Sequence, residues 1–397
     1  MCVGQQLFHA AICGRASTRK RSSKDTTADK TSSNFQESRI IIEALKGQTI
    51  HVPNLYSILK GWPVKANVNY ERLVPVVEDA FDRQVRSNSP KLREKYRRAD
   101  YARFVSLYYP HPEWDRIQTL ALYIIWLFCW DDAIDQQGTG DLSNDLLRAK
   151  TRRDNTIRVF EHVLGLDPNS DPYIQFSQSD YELKAIGDEL KEAYTQEQRQ
   201  AFIKQMRRYI ANCHEEQKMR LQGILPGIES YSELRHGTAA VWTLCALVEF
   251  GLSEKIPEHV RYMEQIHTIW AETSRAVWIT NDILSLRKEM PKEGNESVVN
   301  AIPIIMKQEG KCPQQAVDAL LAELATSVAT FETAATCLEE AAGEGARALM
   351  KTYCDACRCM VTGSIQFSQL IHFGRFESSR YNLEGCLNND GSLDILL

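Results

Sequence analysis

The feature that most restricts the fold of this chain is the run from Leu120 to Trp130. It is wholly apolar and ends abruptly on Asp131-Asp132-Ala133-Ile134-Asp135. A helix that is apolar all round must be buried by other elements. The run is too short to span a bilayer, and no stretch of 18 or more apolar residues occurs elsewhere, so no membrane span is expected. The run therefore predicts a helix over 115–135 that lies inside a bundle and carries acids at its C-terminal end.

The rest of the chain supplies the bundle. Helical periodicity predicts further helices over 70–88, 98–108, 144–164, 185–220, 229–251, 256–291, 313–339 and 342–374. Pro53 and Pro63 punctuate a first segment, and Pro110 and Pro112 stop the helix before 115. Alternation of β-branched residues is nearly absent, so no sheet is expected, and no internal repeat is visible. No strong linker interrupts 50–385. The expected fold class is therefore all-α, with one domain over 49–385 and a C-terminal tail over 386–397. Residues 1–48 read as a disordered tail, because Ser17 to Ser38 is rich in Ser, Thr, Lys and Arg and carries few large apolar side chains. Its early basic bias resembles a transit peptide, a reading weakened by Asp25, Asp29 and Glu37.

Composition excludes some functions. A net charge of −5 leaves no basic field for nucleic acid. The 11 cysteines have no pairing rhythm and read as reduced thiols of a cytoplasmic protein, a monomer or homodimer. Cys354, Cys357 and Cys359 contain a CxxC core but lack the fourth ligand that zinc needs.

Two motifs carry chemistry. Asp131 and Asp135 stand one turn apart on one helix face, at the negative end of the helix dipole. Paired carboxylates there repel one another and call for a cation, and oxygen-only ligands suit Mg²⁺. A solvated acidic helix end would look the same, so this motif needs support. The support comes from Asn281-Asp282-Ile283-Leu284-Ser285-Leu286-Arg287-Lys288-Glu289. Asn281, Ser285 and Glu289 form one helical stripe of amide, hydroxyl and carboxylate oxygen, with Lys288 beside it for a phosphate oxygen. Asn, Asp, Ser, Lys and Glu at those five positions match by chance in about one chain of this length in 10⁴.

The pair DDAID and NDILSLRKE resembles the metal motifs of class I terpene synthases of ascomycete fungi. Asn54-Leu55-Tyr56 and the text from Gln314 to Ala322 look similar to sesquiterpene cyclases of the presilphiperfolanol and longiborneol type. The resemblance covers about residues 50–385. It implies an all-helical class I fold, a prenyl diphosphate substrate, with farnesyl diphosphate expected, and three Mg²⁺ ions. It implies that Asp131 and Asp135 hold metal from one side and Asn281, Ser285 and Glu289 from the other. Family members carry a diphosphate-sensing arginine 46 residues before the triad's Asn, which is Arg235 here, and an Arg-Tyr pair near the C-terminus, here Arg380-Tyr381. Arg235, Lys288, Arg380 and Tyr381 would bind the diphosphate, with Arg235 and Asp131 taking the catalytic roles. Asp132, on a neighbouring face, would orient a basic side chain. Phe104, Phe128 and Trp278 are expected to line the cation cavity, with Ile124 and Trp242 as further candidates. Thr238-Ala239-Ala240 would form a helix break eased by Gly237. His236 and Gly237 replace the Arg and Asp that relatives often have, which leaves the partner of Arg235 open.

Other classes fit less well. A chain-elongating prenyltransferase needs a second aspartate-rich motif, and a class II cyclase needs DxDD; neither is present. A cyclase acting on geranyl or geranylgeranyl diphosphate remains the alternative. A non-catalytic helical scaffold gives no reason for four motifs in this order.

Overall fold

The computed structural model describes residues 23–59, 61–84, 90–135, 142–167, 174, 176, 180–290, 298–369, 381, 383 and 385–397, apart from the side chains of 23–32, 90–92, 95 and 135. In chain order the elements are α1 (Ser23–Leu45), β1 (Thr49–Val52), α2 (Tyr70–Gln84), α3 (Pro90–Ala99), α4 (Tyr101–Tyr108), α5 (Trp114–Asp135), α6 (Leu146–Val163), α7 (Tyr181–Ala193) and α8 (Gln196–Leu221). There follow α9 (Ile228–Thr238), α10 (Val241–Cys245), α11 (Val248–Leu252), α12 (Glu258–Arg261), α13 (Glu264–Glu289), α14 (Ala301–Glu309), α15 (Pro313–Ala341), α16 (Gly343–Ser368) and β2 (Leu393–Leu396).

The apolar helix α5 is the axis of the molecule. It packs against α2, α4, α7 and α11. Ile117, Ala121, Tyr123, Ile124, Ile125 and Trp126 on it are fully buried. By length and composition Trp114–Ile134 could cross a membrane, which the shorter run Leu120–Trp130 did not suggest. Its burial on several sides explains the composition without a bilayer. The second long axis is α13, which packs against α15, α16 and α9. The acidic end of α5 and the triad end of α13 face a common mouth, with α8 and α9 between them.

The structure corrects several boundaries. The expected helix over 185–220 is two helices. Thr195 ends the first and starts the second with a reciprocal capping box to Gln198. The expected helix over 229–251 is three short ones, α9 to α11. A small antiparallel sheet exists where none was expected: β1 pairs with β2, Thr49 opposite Leu396 and Val52 opposite Leu393. The end of 386–397 is thus a paired strand with Leu393 and Ile395 buried, not a tail. Residues 23–45 of the expected disordered segment are helical, and Ile41, Ile42 and Leu45 are buried. Glu37 pairs with Lys307 of α14 at 2.7 Å. The polar composition of Ser17–Ser38 hid this anchor, because the apolar cluster lies just beyond it. Every cysteine among the described residues is free, including Cys354, Cys357 and Cys359 inside α16.

Candidate active site

A cavity opens between five helices. Phe104 and Tyr108 come from α4, and Ile124, Leu127, Phe128 and Asp131 from α5. Tyr209 of α8 and the turn Thr238-Ala239-Ala240 complete it, with Leu244 of α10. Phe104 stands edge-on to Phe128, ring centroids 5.1 Å apart, and stacks on Tyr108 at 3.9 Å. The walls are therefore hydrocarbon and aromatic faces, and the polar groups collect at one end around Asp131.

The turn at the cavity wall is a real break in the helix. Ala240 has φ 59°, a left-handed conformation that costs a non-glycine residue about 1–2 kcal/mol. Its carbonyl accepts from the Thr243 hydroxyl at 2.7 Å, and that hydroxyl accepts from Tyr123 of α5 at 2.7 Å. Gly237 does not make the break. It lies inside α9, where a Cβ would come within 2.3 Å of the Asn212 side chain, so its smallness lets α9 approach α8.

Around Asp131 the acids are held by tyrosines. Tyr209 donates to Asp131 Oδ1 at 2.7 Å, and Tyr96 of α3 donates to Asp132 Oδ2 at 2.9 Å. Asp132, expected to orient a basic side chain, accepts from this phenol of α3. The side chain of Asp135 and the whole of Arg380 lie outside the described residues.

The α13 wall is a connected polar network. Arg235 donates through Nη2 to Asn281 Oδ1 at 3.0 Å and to Asp282 Oδ1 at 2.9 Å. Asp282 is thus the partner of Arg235 that the sequence left open. Its other oxygen accepts from Tyr231 at 2.6 Å and from the backbone N–H of Ala301 at 2.9 Å. Asn281 donates to the Tyr381 hydroxyl at 2.6 Å, and Lys288 Nζ lies 5.4 Å from the centre of the Tyr381 ring. Burial opposes the charge of Arg235, but Asp282 above all, with Tyr231, Glu216 and Glu289, holds its pKa above the ordinary value.

Two carboxylates are pushed towards their neutral form. Glu289 keeps solvent-accessible surface at the mouth yet is hemmed in by protein. That desolvation and then the Asp282 charge raise its pKa, while Ser285, Asn300 and Arg235 pull it back. Glu216 of α8 was not singled out in the sequence. Burial first, then Asp131, Asp282 and Glu289, raise it to about 7 against the pull of Arg235. The same neighbours show that Glu216 faces both acidic walls. It stands seven residues after Tyr209, two turns along the same face of α8, and that stripe is the only signal the sequence carried for it.

The donor set suits a hard cation. The Ser285 hydroxyl is buried and, although close enough to Glu289 to favour its charge, makes no hydrogen bond of good geometry. It is an oxygen left without a job in the protein alone. Among the described residues no three His, Cys, Asp or Glu side chains form a closed cage. Oxygen ligands divided between facing walls fit Mg²⁺, which uses few protein carboxylates and completes its shell with water and phosphate.

Two expected cavity residues sit elsewhere. Trp278 is fully buried and packs edge-on against Tyr231, centroids 6.2 Å apart, and it is absent from the cavity lining. Four residues separate it from Asp282, so it shares the stripe that faces α9 and not the stripe of Asn281. Trp242 also turns away, with the Arg208 guanidinium 4.4 Å above its ring. Phe104, Phe128 and Ile124 do line the cavity. Tyr108, Leu127, Tyr209 and Leu244 were not foreseen.

An apolar, aromatic chamber closed at one end by hard oxygens and an arginine suits a substrate with a hydrocarbon body and an anionic head. That is the class of metal-dependent enzymes acting on lipid-like diphosphates. The chain belongs to the terpene synthases: the model for "Terpene synthase family 2, C-terminal metal binding" matches residues 122–330. It is a terpene cyclase with a metal-binding C-terminal region. It is 30% identical to sesquiterpene cyclase hepA of Aspergillus oryzae over 303 residues, 75% of this chain and 80% of that one. It is 26% identical to a (+)-T-muurolol synthase, described as cyclizing (2E,6E)-farnesyl diphosphate, from Roseiflexus castenholzii, over 62% of this chain and 72% of that one. Hedycaryol synthase in complex with HEPES has the same fold, with a TM-score of 0.65 at 19% identity over 80% of this chain and 98% of that one.

Proposed function

We propose that this protein is a Mg²⁺-dependent sesquiterpene cyclase that ionises farnesyl diphosphate, releases diphosphate and cyclises the carbocation to a hydrocarbon or alcohol. The observation that carries the reading is an aromatic cavity holding Phe104, Phe128 and Asp131, whose Thr238 wall accepts from Arg235, itself bonded to Asn281. The substrate named for the Roseiflexus relative and the sesquiterpene class named for hepA support a C15 chain. The text at Asn54-Leu55-Tyr56 and from Gln314 to Ala322 supports a cyclase of the presilphiperfolanol or longiborneol type.

Each residue has a physical task. Asp131 and Asp135 would hold metal from α5, and Asn281, Ser285 and Glu289 would hold it from α13. Mg²⁺, three ions by resemblance to the family, would supply Lewis-acid neutralisation of the departing diphosphate. Arg235, Lys288, Arg380 and Tyr381 donate to the diphosphate oxygens; paired arginine–phosphate contacts are the strong kind. Asp282 keeps Arg235 charged and aimed. Phe104 and Phe128 offer π faces to the cation, and the apolar walls exclude the water that would quench it.

The test is incubation with C10, C15 and C20 prenyl diphosphates with and without Mg²⁺, with diphosphate release and product gas chromatography as readouts. Mg²⁺-dependent release that is fastest with the C15 substrate is expected. Absence of Mg²⁺-dependent turnover with all three substrates overturns the reading, and preference for C10 or C20 overturns its sesquiterpene part. Asn281→Leu is expected to keep the helical circular dichroism of the wild type and to lose turnover at least 10²-fold, since a ligand and an Arg235 contact go together; an active variant shows that the triad is misassigned.

A further inference from the structure

We infer that Asn300, outside every motif above, is a positioning residue that sets the Glu289 carboxylate and the end of α13 for metal binding. The inference rests on the Mg²⁺–diphosphate reading of this site.

Asn300 is fully buried and is the N-cap of α14. Its Oδ1 accepts from the backbone N–H of Ile302 at 3.0 Å. Its Nδ2 donates to the backbone carbonyl of Asp282 at 2.8 Å and to Glu289 Oε2 at 3.0 Å. Both amide hydrogens and the carbonyl oxygen are therefore used. The next residue continues the contact, since the Ala301 N–H donates to Asp282 Oδ2. One short segment thus grips the helix at Asp282 and its last turn at Glu289, seven residues apart.

Glu289 needs such a hold. It is the triad member at the solvent edge, on the last residue of α13, where a long side chain has most freedom to lose. A carboxylate that wanders must be ordered when metal arrives, and that cost weakens binding. A donor on one oxygen orients the carboxylate beforehand and leaves the other oxygen, Oε1, for the cation. Hydrogen bonds to a metal's ligands do this generally, and losing one lowers metal affinity about 10- to 100-fold. Through Asp282 the same segment also steadies Arg235, so the sensing arginine and the triad share one support.

Capping and positioning can be separated, because they use different atoms. Serine and aspartate cap a helix about as well as asparagine, through an oxygen acceptor. Neither can donate to both the Asp282 carbonyl and Glu289. Mg²⁺ is titrated calorimetrically into full-length protein in saturating inorganic diphosphate, alongside melting curves and the Mg²⁺ dependence of turnover. Asn300→Ser is expected to melt near the wild type and to bind Mg²⁺ at least tenfold more weakly, with turnover partly rescued by excess Mg²⁺. If the serine variant does not fold, Asn300→Asp, which keeps size and cap, is expected to show the same loss. In a Glu289→Ala background the Asn300→Ser change is expected to add less than threefold, because the carboxylate it positions is gone.

A folded Asn300→Ser or Asn300→Asp protein that binds Mg²⁺–diphosphate as tightly as the wild type overturns the inference alone, as does a full additive loss in the Glu289→Ala background. A wild type that binds no Mg²⁺–diphosphate overturns the inference and the function reading together.

Discussion

His236 follows the sensor arginine in sequence but faces away from the cavity, into a buried pocket beside Arg275 and Arg208. Burial first, then those two cations, lowers its pKa to about 4, and its Nδ1 has no hydrogen-bond partner. A histidine that refuses its proton in the folded state contributes stability above pH 6.5. That stability is lost as the pH falls from 6.5 through 4, because the unfolded chain takes up the proton first. Between pH 7 and pH 5 the loss is about 2 kcal/mol. His236→Gln is expected to flatten this acid sensitivity in thermal melts, and an unchanged slope would show that other groups set it. Glu216 has the opposite sign. Its carboxyl is held up near 7, so in metal-free protein the fold loses stability as the pH climbs from 4.5 to 7. Glu216→Gln is therefore expected to melt higher than wild type in EDTA at pH 8, and equal melting would remove the crowding argument. Sequence offered Arg235 through its spacing to Asn281, but gave its partner Asp282, counted in the second motif, no role of its own. A side chain's partner depends on which helix lies opposite, and α9 is supplied by the fold.

At the scale of elements, the long helices were readable because their apolar periodicity is sustained, as in α5 and α13. The single helix expected over 185–220 overlooks Thr195-Gln196-Glu197-Gln198, which has the pattern of a capping box. The break at Thr238-Ala239-Ala240 was expected from the family resemblance and not from any local pattern. An alanine at positive φ is held by Thr243 and, through it, by Tyr123 of α5, and no local propensity calls for that. Gly237 illustrates the same division. Its presence near the break was visible, but its work is close packing against Asn212. Gly237→Ala is expected to cost about 1–3 kcal/mol, the range for overpacking a tight contact. Chemical denaturation should show that Asn212→Ala in the same chain recovers part of it, whereas strictly additive losses would argue against the contact as the cause.

For the molecule as a whole, the segment that follows α1 is joined to the last described strand. β1 and β2 bring residues near 50 beside residues near 395, and Ile50, Val52, Leu393 and Ile395 are all buried. Burying side chains of this size stabilises by about 1.5–3 kcal/mol each. Removing residues 393–397 is therefore expected to lower the melting temperature by several degrees and to expose β1, read by faster protease cleavage near residue 50. Unchanged melting would mean that the strand pair is not part of the cooperative unit. The helical bundle, the apolar axis at 115–135 and the oxygen-bearing residue types of both motifs were determined by sequence alone, because periodicity and residue type are local properties. Only the tertiary structure decided that Trp278 belongs to the core while Phe128 belongs to the cavity. It also decided that Glu216, Asp282 and Asn300 join the site, and that β1 pairs with β2. Which side chains meet depends on how helices distant in sequence pack, and each of those contacts crosses between elements that no short window of residues contains.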